Sequence, residues 1–520
     1  MNKFYITTPI YYPNGEPHLG SVYTTVVSDV LARYHRLRGQ ETFFLTGTDE
    51  HGTKMVKAAE AQGLEPLALA DRYAKLFIET WRELKITNDD FIRTTDQRHK
   101  EQVARIVEQL VKTGDIYLGS YQGWYDEGQE EFVTETEAKT REYKSAISGK
   151  PLTRYAEPSY FFKLSKYVPQ VLEYIEKHPE FIVPESRRNE VTSKIKAGVE
   201  DLSISRATLK WGIPLPQDPG HVLYVWIDAL SNYITALGYA AQDRSRFEKF
   251  WPADVHVIGK DILWFHTVYW PAILLALKLE LPRTIAAHGW WTQEGGRKAG
   301  KSTGGITSLA EIREIVASYG LDGFRYYLLR AAPFGSDLEW NRSELDKSYN
   351  ELGNVLGNLL NRVVNMVGKY RDKVLPAGEA SEEIDRNLAT ATAKLPAQIT
   401  HAYEKLDLQQ ACLLPIELAR AANGYVDATR PFSLAKDLAQ AKRLDTVLNL
   451  AAQATKNALV ALLPILPEKA VAGLKQLGID STGKTLDHLF GEPLAAGSKV
   501  GEGKPLFPKV EEKAPPMTTT

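Results

Sequence analysis

Phe4-Tyr5-Ile6-Thr7-Thr8, a loop from Pro9 to Pro17, and then His18-Leu19-Gly20-Ser21 decide how this chain folds. The first run is apolar and β-branched, which reads as a buried strand. Three prolines and the pair Asn14-Gly15 break the chain in the loop. Beyond it Val22, Val26, Val30 and Tyr34 recur at helical spacing, so a helix starts near Ser21, a residue suited to an N-cap. A strand, a turn and a helix N-terminus make an anion site, because exposed N–H groups and the helix dipole both favour a phosphate. Gly20 lets a nucleotide approach the backbone, and His18 can donate to a phosphate oxygen. A solvated surface histidine fits the same four residues taken alone.

A second element lies far downstream. In Gly295-Gly296-Arg297-Lys298-Ala299-Gly300-Lys301-Ser302-Thr303-Gly304-Gly305, five glycines alternate with cations and hydroxyls. Its lysines are placed to close over a polyphosphate when one binds; a solvated Gly/Lys hairpin is the alternative. At 520 residues the chain has room for about three domains. A net charge of −2 means that any nucleic-acid contact rests on local basic patches, not a global field. The single cysteine, Cys412, excludes an intramolecular disulfide and any CxxC knuckle, and fits a reducing cytoplasm. No signal pattern and no bilayer-length apolar run is present.

Along the chain, Thr42-Phe43-Phe44-Leu45-Thr46 reads as a further buried strand, followed by helical patterns from Lys54 and from about Leu67 to Leu84. This alternation argues for an α/β fold with a doubly wound parallel sheet, whose ligands gather at the C-terminal strand ends. Asp49 sits at such an end, either as a partner for a ligand ammonium or as a helix-capping carboxylate. From Tyr117 to about Pro219, short strands and an acidic run read as an insertion. The sheet is expected to resume at Tyr224–Tyr233, then at Val255–Ile262 and Thr284–Trp291. Trp226 and Tyr233 fall on one helical face, Ile262 and His266 on another. From Ser343 the pattern turns all-helical. Leu352, Leu356, Leu359, Val363 and Val367 trace an apolar stripe beside a ridge of Asn350, Asn354, Asn358 and Arg362. That ridge is either a solvated face or a set of contacts to base edges and phosphates. Further helices are expected over about 385–406, 408–425, 433–437 and 444–463. Phe432, after Pro431 at a helix junction, either plugs the core or stacks under a splayed base. Residues 496–520 are expected to be loose, with Pro505-Leu506-Phe507-Pro508 as an exception.

His18–Ser21 and Lys298–Ser302 together resemble the paired HIGH and KMSKS motifs of class I aminoacyl-tRNA synthetases, and the chain from Phe4 to about Phe507 is similar to the methionyl-tRNA synthetases. The resemblance implies a Rossmann-like catalytic domain in two halves (1–116 and 221–320) split by a connective insertion (117–220). A stem-contact region (321–347), a helical-bundle anticodon-binding domain (348–495) and a tail (496–520) follow. It implies ATP-dependent ligation of L-methionine to tRNA(Met) through a methionyl-adenylate, with Mg²⁺ on the polyphosphate, in a cytoplasmic monomer serving initiator and elongator tRNA. His18, Ser21, Lys298, Lys301 and Ser302 match the catalytic motifs. Ile10, Tyr12, Trp226, Ala229, Leu230, Tyr233, Ile262 and His266 match the methionine pocket, and Asp49 its ammonium partner. His18, Gly20, Gly259, Asp261, His288, Gly289, Trp291 and Lys301 match the ATP site; Asn358, Arg362, Pro431 and Phe432 match the anticodon readers. A thioether packs well against aromatic edges. Discrimination over an analogue lacking one methyl is limited to about 1–3 kcal/mol, so some rejection of homocysteine after activation is also implied.

The chain departs from the family pattern at four places. Ser21 replaces a second histidine, Ala299-Gly300 replace Met-Ser, and Phe432 replaces tryptophan. Asp126-Glu127-Gly128-Gln129-Glu130-Glu131 stands where relatives carry zinc-binding cysteines, so an insertion without structural zinc, held by packing alone, is expected. The nearest rivals are another class I synthetase, a small-molecule adenylyltransferase, and an inactive tRNA-binding paralogue. The absence of a large editing insertion and the long helical half weigh against the first two.

Overall fold

The computed structural model describes residues 3–127, 131–133, 135–146, 148–292 and 308–510. They form two compact units: the first lies within residues 3–308, and the second takes in Arg33–Glu41 together with residues 309–510. The first is built on six strands, β1 (Lys3–Tyr11), β2 (Glu41–Thr48), β3 (Asp90–Arg93), β4 (Ile182–Val183), β5 (Val255–Gly259) and β6 (Thr284–His288). Their order is β3-β2-β1-β5-β6-β4. β2 runs parallel to β3, β1 to β5, β5 to β6 and β6 to β4. β1 is buried from Lys3 to Pro9 without alternation, as suits a parallel strand covered on both faces. β2 and β3 approach so closely that a Cβ at position 47 would lie 2.0 Å from the Ile92 carbonyl oxygen, which leaves room only for Gly47. β1 has β2 on one side and β5 on the other, so the strand order reverses at β1. The carboxyl ends at such a reversal are where ligands bind in sheets of this type.

Helix α1 (Leu19–Leu37) follows β1; α2 (Thr53–Glu60) and α3 (Pro66–Glu83) follow β2; α4 (Gln97–Lys112) follows β3. Two local expectations are corrected. The first intrahelical bond of α1 runs from Val22 N–H to the His18 carbonyl, at 2.9 Å, so His18 and not Ser21 is the N-cap. Ser21 serves the same end from the third helical position: its hydroxyl accepts from His18 N–H at 3.0 Å and donates to His18 O at 2.8 Å. Tyr224–Tyr233 is not a strand but the start of helix α5 (Val225–Thr235), buried at every position except Trp226. A helix enclosed on all sides carries no amphipathic period, so its apolar run mimics a strand.

Within residues 116–206 a separate antiparallel sheet forms, with Ile116–Asp126 pairing along Thr153–Phe162 and flanked by Glu131–Val133 and Leu202–Ser203. Its tip is not held by apolar packing alone. Val133, Ala138 and Leu152 cluster against Trp124, while the Trp124 indole donates to Glu135 at 2.8 Å and Glu127 pairs with Lys57.

The second unit is helical: Leu309–Arg330 is two helical stretches meeting at a kink at Gly320 (φ 71°), and the long helices Asn358–Arg371, Glu383–Glu404, Leu408–Thr429 and Ala441–Ala461 follow. The predicted stripe Leu352–Val367 is wholly buried, and Asn350, Asn354 and Asn358 beside it are exposed. Residues 497–501 are tied down by backbone hydrogen bonds rather than loose, and Pro505–Pro508 docks as expected, although most of the segment is solvent-exposed. Gly497 N–H donates to Leu375 O, Leu375 N–H to Ser498 O and Val500 N–H to Lys373 O, at 2.8–2.9 Å. Leu506 and Phe507 are buried, the Phe507 ring lies edge-on to Tyr349, and the Tyr349 hydroxyl donates to Pro508 O at 2.9 Å. Among the described residues no helix is long and apolar enough to cross a membrane.

Candidate active site

The His18 turn is held from below. The Tyr11 ring stacks on Phe77, and its hydroxyl meets Thr25 at 2.8 Å and the Ser21 carbonyl at 3.3 Å, which ties the end of β1 to the first turns of α1. Gly20 N–H donates to His18 Nδ1 at 3.1 Å. A Cβ on Gly20 would sit 3.0 Å from the imidazole, so the ring folds over a glycine that leaves it space. His18 is half-buried and Ser21 buried.

Two other strand ends meet this turn. Thr24 Oγ1 lies 2.7 Å from His288 Nε2 at the end of β6, and His288 Nδ1 is 2.8 Å from the Gly289 carbonyl. Burial lowers the His288 pKa. Tyr23 stands edge-on to both His288 and Trp291. At the end of β5, a Cβ on Gly259 would lie 2.6 Å from Asp261 Oδ1 and 3.7 Å from His288 Cε1. The candidate nucleotide residues His18, Gly20, Gly259, Asp261, His288, Gly289 and Trp291 thus share the carboxyl end of the sheet. Lys298, Lys301 and Ser302 lie outside the described residues.

The candidate amino-acid residues gather along α5 and the segment after β5. Tyr233 Oη lies 2.7 Å from His266 Nε2, and His266 Nδ1 is 2.9 Å from the Ile262 carbonyl. Nδ1–H therefore donates to the carbonyl, and Nε2 accepts the phenol hydrogen. The half-buried Trp226 stacks on Phe265 with ring centroids 3.7 Å apart. Ala229, Leu230 and Tyr233 are buried in the core cluster or beside it, and Ile10, Tyr12, Trp226 and Ile262 pack against that cluster. Asp49 is buried at the end of β2, where its N–H donates to Tyr11 O at 2.9 Å. It does not cap α2: Gly52 is the N-cap, at φ 93°, and no side chain bonds to the helix end. The capping alternative is thereby removed.

Burial holds the His266 pKa down at about 4, so the imidazole is neutral across the physiological range. An imidazole with a lowered folded pKa favours the fold while neutral; its contribution is complete above about 6.5 and declines as pH falls towards 4. The expected outcome is a KM for the amino-acid substrate that is flat from about pH 6 to 8 and rises only at lower pH, read from pH-dependent substrate kinetics. A His266-dependent inflection between pH 6 and 7 would contradict the tautomer assigned to this pair.

In the helical unit, Arg362 reaches Asn423 Oδ1 at 3.3 Å and Asp427 Oδ1 at 2.5 Å, both on Leu408–Thr429. That helix ends directly before Pro431–Phe432. Pro431 is buried, whereas Phe432 is 55% exposed, so the ring is not a core plug. Thr24 and Phe265, which orient candidate residues, carried no signal in the sequence beyond their neighbours' motifs.

This strand order is that of a class I tRNA synthetase core, and residues 4–364 match the family model described as tRNA synthetases class I (M). The chain is 45% identical over 509 residues to the methionine–tRNA ligase of Caldanaerobacter subterraneus subsp. tengcongensis, covering 98% of this chain and 79% of that protein. It is 43% identical over 523 residues to that of Bacillus subtilis, covering 98% and 78%. The structure of Mycobacterium tuberculosis methionyl-tRNA synthetase in complex with methionyl-adenylate superposes with a TM-score of 0.92 at 36% identity, covering 98% of this chain and all of that one. The chain belongs to the methionyl-tRNA synthetase family.

Proposed function

We propose that the chain joins L-methionine to tRNA(Met) at the expense of ATP. The methionine carboxylate oxygen attacks the α-phosphorus, and the bond to the β-phosphate bridging oxygen breaks. Methionyl-adenylate forms and pyrophosphate leaves with the Mg²⁺ that entered on the triphosphate. A terminal ribose hydroxyl of the tRNA then attacks the carbonyl carbon, and AMP departs. No general base is needed for the first step, because the carboxylate is ionised near neutral pH. We assign His18, Lys298, Lys301 and Ser302 to the charge that grows on the phosphate oxygens, and Ser21 to support of the turn. Gly20, Gly259, Asp261, His288, Gly289 and Trp291 seat the adenosine. Asp49 meets the ammonium, while Ile10, Tyr12, Trp226, Ala229, Leu230, Tyr233, Ile262 and His266 enclose the thioether.

We assign anticodon contacts to Asn358, Arg362, Pro431 and Phe432, catalysis to residues 1–116 and 221–320, and the connective role to 117–220. Residues 321–347 take the stem-contact role and 348–495 the anticodon-binding role. The enzyme acts as a cytoplasmic monomer on initiator and elongator tRNA(Met). The observation that carries the reading is that both candidate groups, nucleotide and amino acid, stand at the carboxyl ends of β1, β2, β5 and β6 where the strand order reverses. The expected outcome is methionine-dependent ATP–pyrophosphate exchange without exchange for leucine; no exchange with methionine, or equal exchange with leucine, overturns it.

A further inference from the structure

Behind the amino-acid residues lies a buried polar group that the reaction above does not use. Asp228 is on α5, two residues after Trp226 and on the opposite face of the helix from Trp226, Leu230 and Tyr233. Its Oδ2 lies 2.6 Å from His51 Nδ1, and its Oδ1 lies 2.7 Å from His99 Nε2. His99 Nδ1 lies in turn 2.7 Å from the hydroxyl of Thr235, seven residues along the same face as Asp228. Gln102 on α4 donates to the Thr235 carbonyl at 2.9 Å. All four residues of this chain, His51, Asp228, His99 and Thr235, are buried. Each carboxylate oxygen accepts one imidazole N–H. Burial raises the carboxyl's pKa, but His51 and then His99 outweigh it and hold it at about 2.

His51 is two residues from Asp49, in a loop pinned on its other sides. Glu50 accepts from Thr48 at 2.6 Å and from Arg93 at 2.6 and 2.9 Å, and Thr95 donates to it as well. The Trp211 indole donates to the Glu50 carbonyl at 2.6 Å. Asp49 therefore stands on one side of the clasp and the Trp226–Tyr233 face of α5 on the other. We propose that Asp228 is a positioning residue that, through His51 and His99, fixes the separation between the ammonium end of the amino-acid slot at Asp49 and its thioether end on α5, and so sets the side-chain length the slot accepts.

The proposal rests on the methionine reading. Selection by length needs the two ends held rigidly, because one methylene changes binding only modestly when the walls can adjust. Packing alone is non-directional, whereas two short hydrogen bonds to one carboxylate fix both distance and angle. Asp228→Asn keeps the shape but replaces one acceptor by an N–H₂ facing an N–H, which pushes the loop and α5 apart.

The test uses the full chain in ATP–pyrophosphate exchange, with active sites counted by the burst of adenylate formed, so that misfolded protein drops out. Methionine is compared with ethionine, one methylene longer. Asp228→Asn is expected to raise the methionine KM about tenfold, to leave the ATP KM within about twofold, and to narrow the methionine-to-ethionine preference about tenfold. His51→Gln removes one arm and leaves the carboxylate paired with His99; it is expected to move the same two quantities in the same direction. It carries the test if Asp228→Asn fails to fold. Adding His51→Gln to Asp228→Asn is expected to narrow the preference no further, because the two side chains act as one unit. An unchanged preference per active site in the folded variants, or a rise in the ATP KM equal to that for methionine, overturns the proposal. Exchange by the unmodified chain tests the methionine reading separately: if it fails, that reading falls before the clasp is judged.

Discussion

Replacing His18 with alanine is expected to slow methionine-dependent ATP–pyrophosphate exchange about 100- to 1,000-fold, the usual loss when one donor to a transition-state oxyanion is removed. The ring accepts from Gly20 N–H through Nδ1, so its hydrogen is carried by Nε2, on an imidazole seated at the amino end of α1. The bonds that build the turn survive the substitution, because His18 N–H and O bond to the Ser21 hydroxyl through the backbone. The folding cost is then about one hydrogen bond, roughly 0.5–1.5 kcal/mol, visible as a small shift in Tm. Methionine binding, followed by tryptophan fluorescence, is expected to stay near the unmodified value. Loss of methionine binding would show that the turn belongs to the amino-acid slot rather than to the triphosphate.

Asp49→Asn is expected to act on the other substrate. Asp49 is 4% exposed, in a loop fixed by Glu50–Arg93 and His51–Asp228, so the carboxylate cannot be replaced by a neighbour swinging in. Removing one partner of a buried ion pair costs about 3–5 kcal/mol, which corresponds to a methionine KM raised by roughly two to four orders of magnitude. The ATP KM should hold. The control is a methionine analogue lacking the amino group: it should bind the variant at least as well as the unmodified chain, since the analogue leaves the buried Asp49 carboxylate without an ammonium and the neutral variant does not. A fall in Tm with an unchanged methionine KM would instead make Asp49 a purely structural carboxylate.

Much of this site was legible because its parts are local. A β-branched strand, a proline-broken loop, a His–Gly turn and a helical stripe announce themselves within some thirty residues. The same holds for the spacing of Trp226 and Tyr233 and of Ile262 and His266, which put them on shared faces. The errors share one physical source. Enclosure on every side blurred the apolar period of Val225–Thr235, so a helix carrying four candidate residues was assigned to the sheet even though the Trp226–Tyr233 spacing was helical. At the start of α1, an oxygen at the third helical position did the work expected of the first, which moved the cap by three residues. The Asp228 clasp had no signature at all. Its members are single residues, 177 and 129 positions apart along the chain, and only the fold brings them together. Phe432 was undecidable in sequence because an aromatic after a proline suits a core and a surface equally; its 55% exposure removes the core reading.

The strap formed by residues 497–508 bears on how the protein is made. It closes over positions 349–375, which leave the ribosome well over a hundred residues earlier. Until that late segment emerges, Tyr349 has only the earlier Tyr319 as a ring partner, and the backbone groups of Lys373 and Leu375 lack the strap partners they have in the finished fold. Chaperone engagement and misassembly should therefore concentrate in the interval of synthesis before residue 508 clears the tunnel.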